Sequence, residues 1–325
     1  MDIRIDDRRS PRGVRLLLAL AVASILVGGC SSEPSPQGGG PLPLQPIADI
    51  ALPGDNSRFD YESLDPDRGL LFIAHLGASE VIEVDIHTQQ VVRTIPNLSQ
   101  AHGVLVVPEP RRVYAPTGDY PDGIAYDPTR GAVWTTNESG GTETVVDAVT
   151  AQVRGSVDLG GDVGNVAYDP VSDQMLVAVQ GKGDLAALDP GTLAVTRRLP
   201  LPGCRGGHGL ALDPPARLAF VACEDNAALL TVDLATWQVT GTNTVGKQPD
   251  VLAYDQGAQR LYVAAESGTV SVFDHKDGNL AAVGSGHLAD EAHVVALDPN
   301  THHTYFPVPA GTDGHPALLE RSPLP

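Results

Sequence analysis

The sequence predicts an all-β fold built from one repeated unit, and three observations support that prediction. Short runs rich in Val, Leu and Ala alternate with turn residues, which include 35 glycines and 27 prolines in 325 residues. After the first thirty residues, no stretch shows a sustained helical period. From residue 59 onward, one pattern of apolar run, Asp-Pro-like turn and second apolar run recurs along the chain.

The repeat is clearest at the turn between its first two strand-like runs. Successive turns are separated by 42, 20, 42, 44, 42 and 43 residues. The turn positions are Asp65, Val107, Asp127, Asp169, Asp213, Asp255 and Asp298. A period of roughly 40 to 45 residues that contains four short strands is typical of β-propeller blades. The sequence therefore predicts one seven-bladed β-propeller over residues 47–325.

Two units of the repeat are incomplete. The second carries only the runs HGVLVV and RRVYA before the third unit begins, so we expect a truncated second blade. The last unit lacks a fourth strand, and the segment 47–52, which precedes the first unit, resembles one. We predict that this N-terminal strand pairs with a strand from residues 316–321 and closes the ring.

The N-terminus has the pattern of an export signal. Arg8, Arg9, Arg12 and Arg15 precede an apolar run from Leu16 to Val27, which is too short to span a bilayer. The tetrapeptide VGGC that ends at Cys30 resembles the lipobox of bacterial lipoproteins. We predict a signal peptide over residues 1–29, lipidation of Cys30 and a flexible tether over residues 30–46. An ordinary secreted protein with an unpaired cysteine is the alternative.

Charge and anchor together limit the expected partners. The formal net charge is −19, and such an acidic surface repels phosphate backbones, so we expect no nucleic-acid partner. The expected protein is an extracytoplasmic monomer of the bacterial cell envelope that meets the membrane only through its lipid. Its expected partners are a small ligand or another envelope protein.

Several segments resemble a known group of propellers. RLYVAAESGTVSVFD and VWTTNESGGTETVVD are similar to the repeats of the YVTN-repeat, or YncE-like, propellers of bacterial envelopes. The resemblance covers about residues 47–321. It implies a β-propeller fold and an envelope location, and it implies no particular activity because one fold hosts many functions.

The first strands of the repeats open on polar residues. In a propeller these strands line the central channel, so we expect their opening residues to form a ligand-binding ring at one mouth. The ring residues are Asp60, His102, Asp122, Asn165, His208, Asp250 and His293. The second strands end on the same face and add His75, Glu138, Gln180, Glu224 and Glu266.

Imidazole and carboxylate groups at one mouth suit a divalent metal such as Ca, Zn or Mn. The candidate metal ligands are His208, Asp250, His293, Glu138, Glu224 and Glu266. Metal-free ligand recognition and purely structural hydrogen bonds between blades are the alternatives. Crowded carboxylates are unfavourable unless a cation or a protonated histidine offsets them.

Two functions follow from this pattern. The first is an envelope-anchored lipoprotein that binds a small ligand, a metal ion or a protein partner at the top of its channel. The second is a metal-dependent hydrolase of lactonase type, in which a metal polarises a carbonyl and activates water. Asn165 and Asp250 resemble the Asn and Asp ligands of gluconolactonase-type propellers, but no position matches that family's leading Glu motif. The sequence assigns no catalytic residue.

Cys204 and Cys223 are the only cysteines besides Cys30, and they flank His208 in the fifth unit. A disulfide is the first expectation in an oxidising envelope. A pair of thiolate metal ligands beside His208 and two free thiols are the alternatives.

Overall fold

The structure, a computed structural model, describes residues 39–116, 120–276 and 278–324. These residues form six antiparallel sheets of four strands each, the blades of a β-propeller, together with one two-stranded hairpin and one short added strand. The predicted signal peptide and the lipidation site at Cys30 lie outside the described residues. None of the described helices is long and apolar enough to cross a membrane.

The first half of the chain builds three blades and the hairpin. Two strands come first, β1 (Gly40–Pro41) and β2 (Leu44–Ala51). Blade 1 contains β3 (Glu62–Asp65), β4 (Leu70–His75), β5 (Glu80–Asp85) and β6 (Gln90–Pro96). The hairpin contains β7 (Leu105–Val107) and β8 (Arg112–Tyr114). Blade 2 contains β9 (Pro121–Asp127), β10 (Ala132–Asn137), β11 (Thr142–Asp147) and β12 (Val153–Asp158). Blade 3 contains β13 (Val166–Asp169), β14 (Gln174–Val179), β15 (Asp184–Asp189) and β16 (Ala194–Pro200).

The second half builds the other three blades. Blade 4 contains β17 (Gly207–Asp213), β18 (Leu218–Cys223), β19 (Ala228–Asp233) and β20 (Gln238–Thr244). Blade 5 contains β21 (Pro249–Asp255), β22 (Arg260–Ala265), β23 (Thr269–Lys276) and β24 (Asn279–His287). Blade 6 contains β25 (Ala296–Leu297), β26 (Thr304–Val308), β27 (Ala317–Pro323) and, as its outermost strand, β2. Short 3-10 turns follow the second strands of blades 1, 3 and 4, at residues 76–78, 180–182 and 224–226.

The aspartates that define the repeat shape the turns between first and second strands. Asp127 Oδ1 accepts hydrogen bonds from the backbone N–H groups of Thr129 and Arg130, at 2.9 and 3.2 Å. Asp298 accepts the backbone N–H of Asn300 in the same way, at 3.0 Å. An aspartate that bonds the backbone two or three residues ahead favours a tight turn, which explains why it recurs in every unit except the second, where Val107 takes its place.

The core lies between neighbouring blades. Trp134 and Val145 of blade 2 pack with Met175 and Val177 of blade 3, and all four are buried. Because both faces of a blade are covered in this way, its inner strands read as continuous apolar runs. Burying apolar surface at roughly 25 cal/mol per Å² at every blade interface is the main force that holds the ring together.

The prediction of seven blades with a truncated second blade is wrong, because the structure is a six-bladed propeller. The short second unit forms only the hairpin β7–β8, whose three-residue strands pair with each other. One face of the hairpin packs on blade 1, through Val104 and Val106, and Val107 packs against Val133 of blade 2. The sequence period predicted a blade here because the first strand and its turn are present in this unit. A blade also needs the two outer strands, which this unit lacks.

The N-terminal strand closes the ring, as the sequence predicts, but in the sixth blade. Strand β2 pairs antiparallel with β27, from Leu44 opposite Pro323 to Ala51 opposite Ala317. The predicted tether over residues 30–46 ends earlier than expected, because β1 and the first residues of β2 are already part of sheets. Strand β1 adds to the edge of blade 5, parallel to β24.

Candidate ligand-binding mouth of the propeller

The predicted ring residues meet on the axis of the propeller. The imidazole of His208, in blade 4, places Nε2 at 3.3 Å from Asp122 Oδ2 of blade 2 and at 3.3 Å from Asp250 Oδ1 of blade 5. In a ring of six blades, the second and fifth blades stand opposite each other. One side chain that reaches both must therefore lie near the axis, and contacts described below connect it with the other ring residues.

Glycines bring the opening strands close enough for these contacts. Gly123 follows Asp122, and Gly209 follows His208. A Cβ atom at Gly209 would lie only 2.0 Å from the carbonyl oxygen of Asp250, and one at Gly123 would lie 2.9 Å from the Cα atom of Asn165. Such distances exclude any side chain, so each glycine allows the backbone of the next blade to approach. The Asp-Gly and His-Gly pairs of the sequence are therefore a packing requirement.

We call Asp60, His102 and Asp122 the Asp60 group; all three are buried, and they offer ligand atoms within 4.8 Å of one another. Hydrogen bonds within the fold occupy both oxygens of Asp60, His102 Nδ1 and Asp122 Oδ2. His102 Nδ1 lies 2.8 Å from Asp60 Oδ2, and the other oxygen of Asp60 accepts the backbone N–H of Tyr61 at 3.0 Å. The Tyr61 hydroxyl donates to Asp122 Oδ2 at 3.1 Å and accepts the Asn165 amide at 2.8 Å.

We call Asp250, Glu266 and His293 the Asp250 group, which has the same 4.8 Å limit on its ligand atoms. His293 Nδ1 lies 2.8 Å from the backbone oxygen of Glu291. A carbonyl only accepts, so Nδ1 carries the proton and Nε2 of the neutral ring has a free lone pair. His293 Nε2 is buried with no hydrogen-bond partner among the described residues. Asp250 Oδ1 is also buried without a well-formed hydrogen bond, although His208 Nε2 lies 3.3 Å away.

Arg58 is the principal residue that sequence reasoning missed. Its Nη1 forms an ion pair with Glu266 Oε1 at 2.7 Å, and Nη2 lies 3.8 Å from Asp250 Oδ2. Contacts of 3.8 Å also join it to Asp60 and to Glu291. Burial lowers the pKa of the Arg58 guanidinium, but Asp60 and Glu266 outweigh burial and raise it further above its usual range. Arg58 is therefore a fixed positive charge between the two groups.

The ionisation of His208 follows from its two carboxylate neighbours. Burial alone lowers the pKa of His208, but the charges of Asp122 and Asp250 raise it to about 10. Burial raises the pKa of Asp122 to about 7, against the opposing effect of His208. Burial also acts to raise the pKa of Asp250, but its contact with His208 lowers it overall. At neutral pH the mouth thus holds an imidazolium against the Asp250 carboxylate.

Of the residues predicted at the ends of the second strands, Glu266 belongs to the Asp250 group, and the others lie outside both groups. Gln180 Nε2 lies 2.7 Å from His208 Nδ1 and donates to Glu224 Oε2 at 3.3 Å, and burial raises the pKa of both Glu224 and Glu138. Neither of these glutamates belongs to the Asp60 or the Asp250 group. His75 is buried elsewhere, stacked on Phe59 and 3.2 Å from Glu80.

Cys204 and Cys223 form a disulfide with a Cα–Cα distance of 5.3 Å. Cys223, at the end of β18, pairs in the sheet with Gly207, the residue before His208. The bond thus ties the loop before β17 to the end of β18 and supports the backbone that carries His208. Since both sulfur atoms are used in the bond, the alternative of two thiolate metal ligands does not apply to this structure.

Two open surface cavities are lined by residues other than those of the mouth. One of about 380 Å³ is lined by residues 48–51 and 88–91, and one of about 230 Å³ by residues 287–290, 310–312, Leu319 and Arg321. At the mouth, Tyr61, His208 and Arg58 occupy the axis instead. The mouth therefore suits an ion or a small charged group better than a large apolar molecule.

Solved β-propellers share the overall fold. The chain is similar to the WD40 repeats of RRP9, with a TM-score of 0.70, 10% identity and coverage of 87% of this chain and 100% of that one. The structure of U3-55K has a TM-score of 0.69 and 10% identity, and the match covers 86% of this chain and 100% of that one. Streptogramin B lyase has a TM-score of 0.69 and 9% identity, and the match covers 85% of this chain and 97% of that one. Identities this low show a common fold and no common activity. Neither protein-family models nor curated proteins match the sequence.

Proposed function

We propose that this protein is a lipid-anchored envelope β-propeller that binds a cationic ligand at the mouth of its channel. The ligand is a metal ion, an amine or a basic group of an envelope protein. The observation that carries the proposal is the convergence of buried carboxylates from opposite blades on one axis, where His208 and Arg58 supply positive charge. The lipobox-like VGGC and the YncE-like segments support the envelope location.

The charge balance of the mouth favours a cation. Seven carboxyl groups lie in or around it, and Arg58 and protonated His208 are among the cations that contact them. The carboxyl groups are those of Asp60, Asp122, Glu138, Glu224, Asp250, Glu266 and Glu291. A cleft lined by one sign of charge focuses the field and concentrates ligands of the opposite sign. Tyr120 extends this surface, because its half-exposed ring lies tilted against the His102 ring, with a centroid distance of 4.3 Å, and can contact an organic cation.

A charge-selectivity experiment tests the proposal. The thermal midpoint of the purified protein is measured with spermidine, arginine amide and zinc as cations, and with phosphate and citrate as anions. Cations should raise the midpoint in proportion to their binding, whereas anions should leave it unchanged. Asp250→Asn should reduce the effect of the cations.

The matched control is Asp67→Asn, which removes one exposed carboxylate from the turn after β3. This variant should respond to cations as the wild type does. Stabilisation by the anions alone, or equal responses in Asp250→Asn and Asp67→Asn, would contradict the proposal. Membrane fractionation of a Cys30→Ala variant tests the anchor, because the unlipidated protein should leave the membrane fraction.

A metal-dependent hydrolase of lactonase type is the second candidate. It is favoured by the two carboxylate–imidazole groups, each of which has the residue types to hold a divalent ion that polarises a carbonyl. The Asn165 amide is bonded to Tyr61 on the side of Asp122, and His208 lies between Asp122 and Asp250, so Asn165 and Asp250 are poorly placed to share one ion. Elemental analysis separates the candidates, since a protein without stoichiometric metal cannot be this hydrolase.

A further inference from the structure

We propose that the Asp250 group is a binding site for a divalent transition-metal ion such as zinc. In this proposal the Arg58 guanidinium competes with the ion for the carboxylate oxygens of Glu266 and Asp250. The inference rests on the proposed cation-binding role of the mouth and narrows it to one ligand and one place. It assigns separate functions to two groups that have similar composition. It also assigns a function to an arginine that the sequence pattern does not mark.

The donor set suits zinc. One imidazole nitrogen and two carboxylate oxygens are borderline ligands, which zinc accepts at about 2.0 to 2.2 Å, whereas calcium prefers an all-oxygen shell. The three ligand atoms lie within 4.8 Å of one another. Two atoms that share one zinc ion lie about 3 to 4 Å apart, so a modest approach of these side chains completes the site. Three protein ligands also leave a position for water or for a ligand.

His293 has the tautomer of a metal ligand, and its ring lies beside Glu266, with Nδ1 at 3.8 Å from Glu266 Oε2. Its Nδ1–H donates to the Glu291 carbonyl oxygen at 2.8 Å, which fixes the tautomer and the ring plane. Metal-binding histidines characteristically donate their other ring N–H to a carbonyl or a carboxylate. The ring is fully buried, and its Nε2 has no hydrogen-bond partner within the described residues.

An unpartnered atom favours a ligand over a structural role. A buried polar atom without a partner destabilises a fold by about 1 to 3 kcal/mol. The Asp250 group contains one such atom, His293 Nε2, and Asp250 Oδ1 has only the 3.3 Å ion-pair contact with His208 Nε2. A bound cation would satisfy His293 Nε2 and would also share the charge of Asp250, because it accepts electron pairs from nitrogen and oxygen at once. In the Asp60 group, protein hydrogen bonds occupy both oxygens of Asp60, His102 Nδ1 and Asp122 Oδ2.

Arg58 competes for the same oxygens. Its guanidinium forms a 2.7 Å ion pair with Glu266 and lies 3.8 Å from Asp250, so it neutralises two of the three proposed ligands. Its side chain is 36% exposed, which gives it a path toward solvent when an ion takes its place. Removal of Arg58 should therefore strengthen metal binding, whereas removal of an ordinary structural residue should weaken it or have no effect.

Isothermal titration of the purified protein with zinc chloride tests the proposal. We expect one strong site per chain in the wild type. Glu266→Gln keeps the shape of the side chain and should weaken zinc binding at least about tenfold, and His293→Gln should do the same. Arg58→Gln should strengthen binding by about fivefold, as expected for removal of one competing ion pair. His87→Gln, which removes an exposed histidine in the turn after β5, is the matched control and should bind as the wild type does.

Each other outcome contradicts the inference in a recognisable way. Zinc binding that is lost in His102→Gln and kept in Glu266→Gln would place the ion in the Asp60 group. Weaker binding in Arg58→Gln would make Arg58 a supporting residue and not a competitor. If zinc fails to bind while spermidine still stabilises the wild type more than Asp250→Asn, the metal site is wrong and the proposed cation-binding function stands. If neither cation binds, both proposals fall.

Discussion

The two sides of the mouth have similar residues but different hydrogen bonding. The Asp60 group and the Asp250 group each combine a histidine with two carboxylates, and most of their members open the first strands of the repeat. In the Asp60 group, His102 bonds Asp60 and Tyr61 bonds Asp122. In the Asp250 group, His293 Nε2 has no hydrogen-bond partner among the described residues, and Asp250 Oδ1 has only the 3.3 Å contact with His208.

This difference shows that burial and composition alone do not distinguish a structural polar cluster from a binding site. Asp60, His102 and Asp122 are as buried as Asp250 and His293. What differs is whether the fold itself satisfies the polar atoms. A cluster whose polar atoms are all hydrogen-bonded stabilises one arrangement of blades. A cluster with an unbonded lone pair on nitrogen or oxygen favours the binding of an external cation.

His208 connects the two sides, so its removal should have the largest effect on stability. Without the imidazolium, the buried carboxylates of Asp122 and Asp250 lose the cation that lies 3.3 Å from each. Breaking a buried charge pair by removing one partner typically destabilises a protein by about 3 to 5 kcal/mol. We expect His208→Ala to lower the free energy of unfolding by about 3 kcal/mol in urea denaturation at pH 7.

His87→Ala, which removes an exposed histidine from blade 1, is the control for this measurement, and its effect should be within about 0.5 kcal/mol. If His208→Ala has an equally small effect, His208 is not the charge that holds the two sides together. Adding Asp250→Asn to His208→Ala should restore part of the lost stability, because the uncompensated carboxylate is then gone.

The second expected effect is a decrease in stability as pH rises. The folded state holds the Asp122 proton up to a pKa of about 7 and the His208 proton up to about 10, from ordinary values of 3.8 and 6.5. Between each pair of values the folded state binds more protons than the unfolded state, so a rise in pH favours unfolding. Asp122 should therefore weaken the fold from about pH 4 to 7, and His208 from about pH 6.5 to 10.

Substitutions separate the pH range in which Asp122 affects stability from the range in which His208 does. Relative to the wild type, Asp122→Asn should lose less stability between pH 4 and 7, and we expect a difference of about 2 kcal/mol. His208→Gln should flatten the profile above pH 6.5 in the same way. Urea denaturation at several pH values measures both differences. If the free energy of unfolding changes with pH in the same way in the wild type and in Asp122→Asn below pH 7, Asp122 ionises normally in the fold.

The sequence predicted the repeat and the closing strand because both depend on local patterns. The turn aspartate is visible in every unit except the second, short apolar runs are visible in all of them, and the segment 47–52 has the composition of a strand. The number of blades was wrong because blade formation depends on how many strands pair, which periodicity does not report. Val104 and Val106 bury the hairpin β7–β8 against blade 1 even though it has no outer strands.

The tether boundary was misplaced for a similar reason. Gly40 and Pro41 belong to a composition that is typical of flexible linkers, yet they pair with Gly284 and Ser285 of β24. Glycine at 284 permits this contact, since a Cβ atom there would lie 2.2 Å from the Pro41 carbonyl oxygen. Such a contact depends on chain segments far apart in sequence, so local composition cannot predict it.

In the mouth, the sequence predicted positions but not partners. The ring residues come from the opening of each first strand, and the repeat marks those positions directly. Arg58 and Tyr61 were missed because they lie two residues before and one residue after the marked position Asp60 and reach the axis by side-chain length. The first unit differs from the others in having an arginine before and a tyrosine after its opening aspartate. This difference can be seen only when the units are aligned and compared position by position.

The smallest expected effect tests the satisfied side of the mouth. Tyr61→Phe removes the hydroxyl that donates to Asp122 and accepts from Asn165, so it should lower the free energy of unfolding by about 1 to 2 kcal/mol. Tyr168→Phe is the matched control, because its hydroxyl bonds Asp173 at an exposed site and should contribute less than about 0.5 kcal/mol. Since Tyr61 bonds the Asp60 side of the mouth, its removal should leave the affinity for zinc unchanged. A change in zinc affinity as large as that of Glu266→Gln would mean that the two groups act as one site, and the distinction between a structural side and a binding side would be lost.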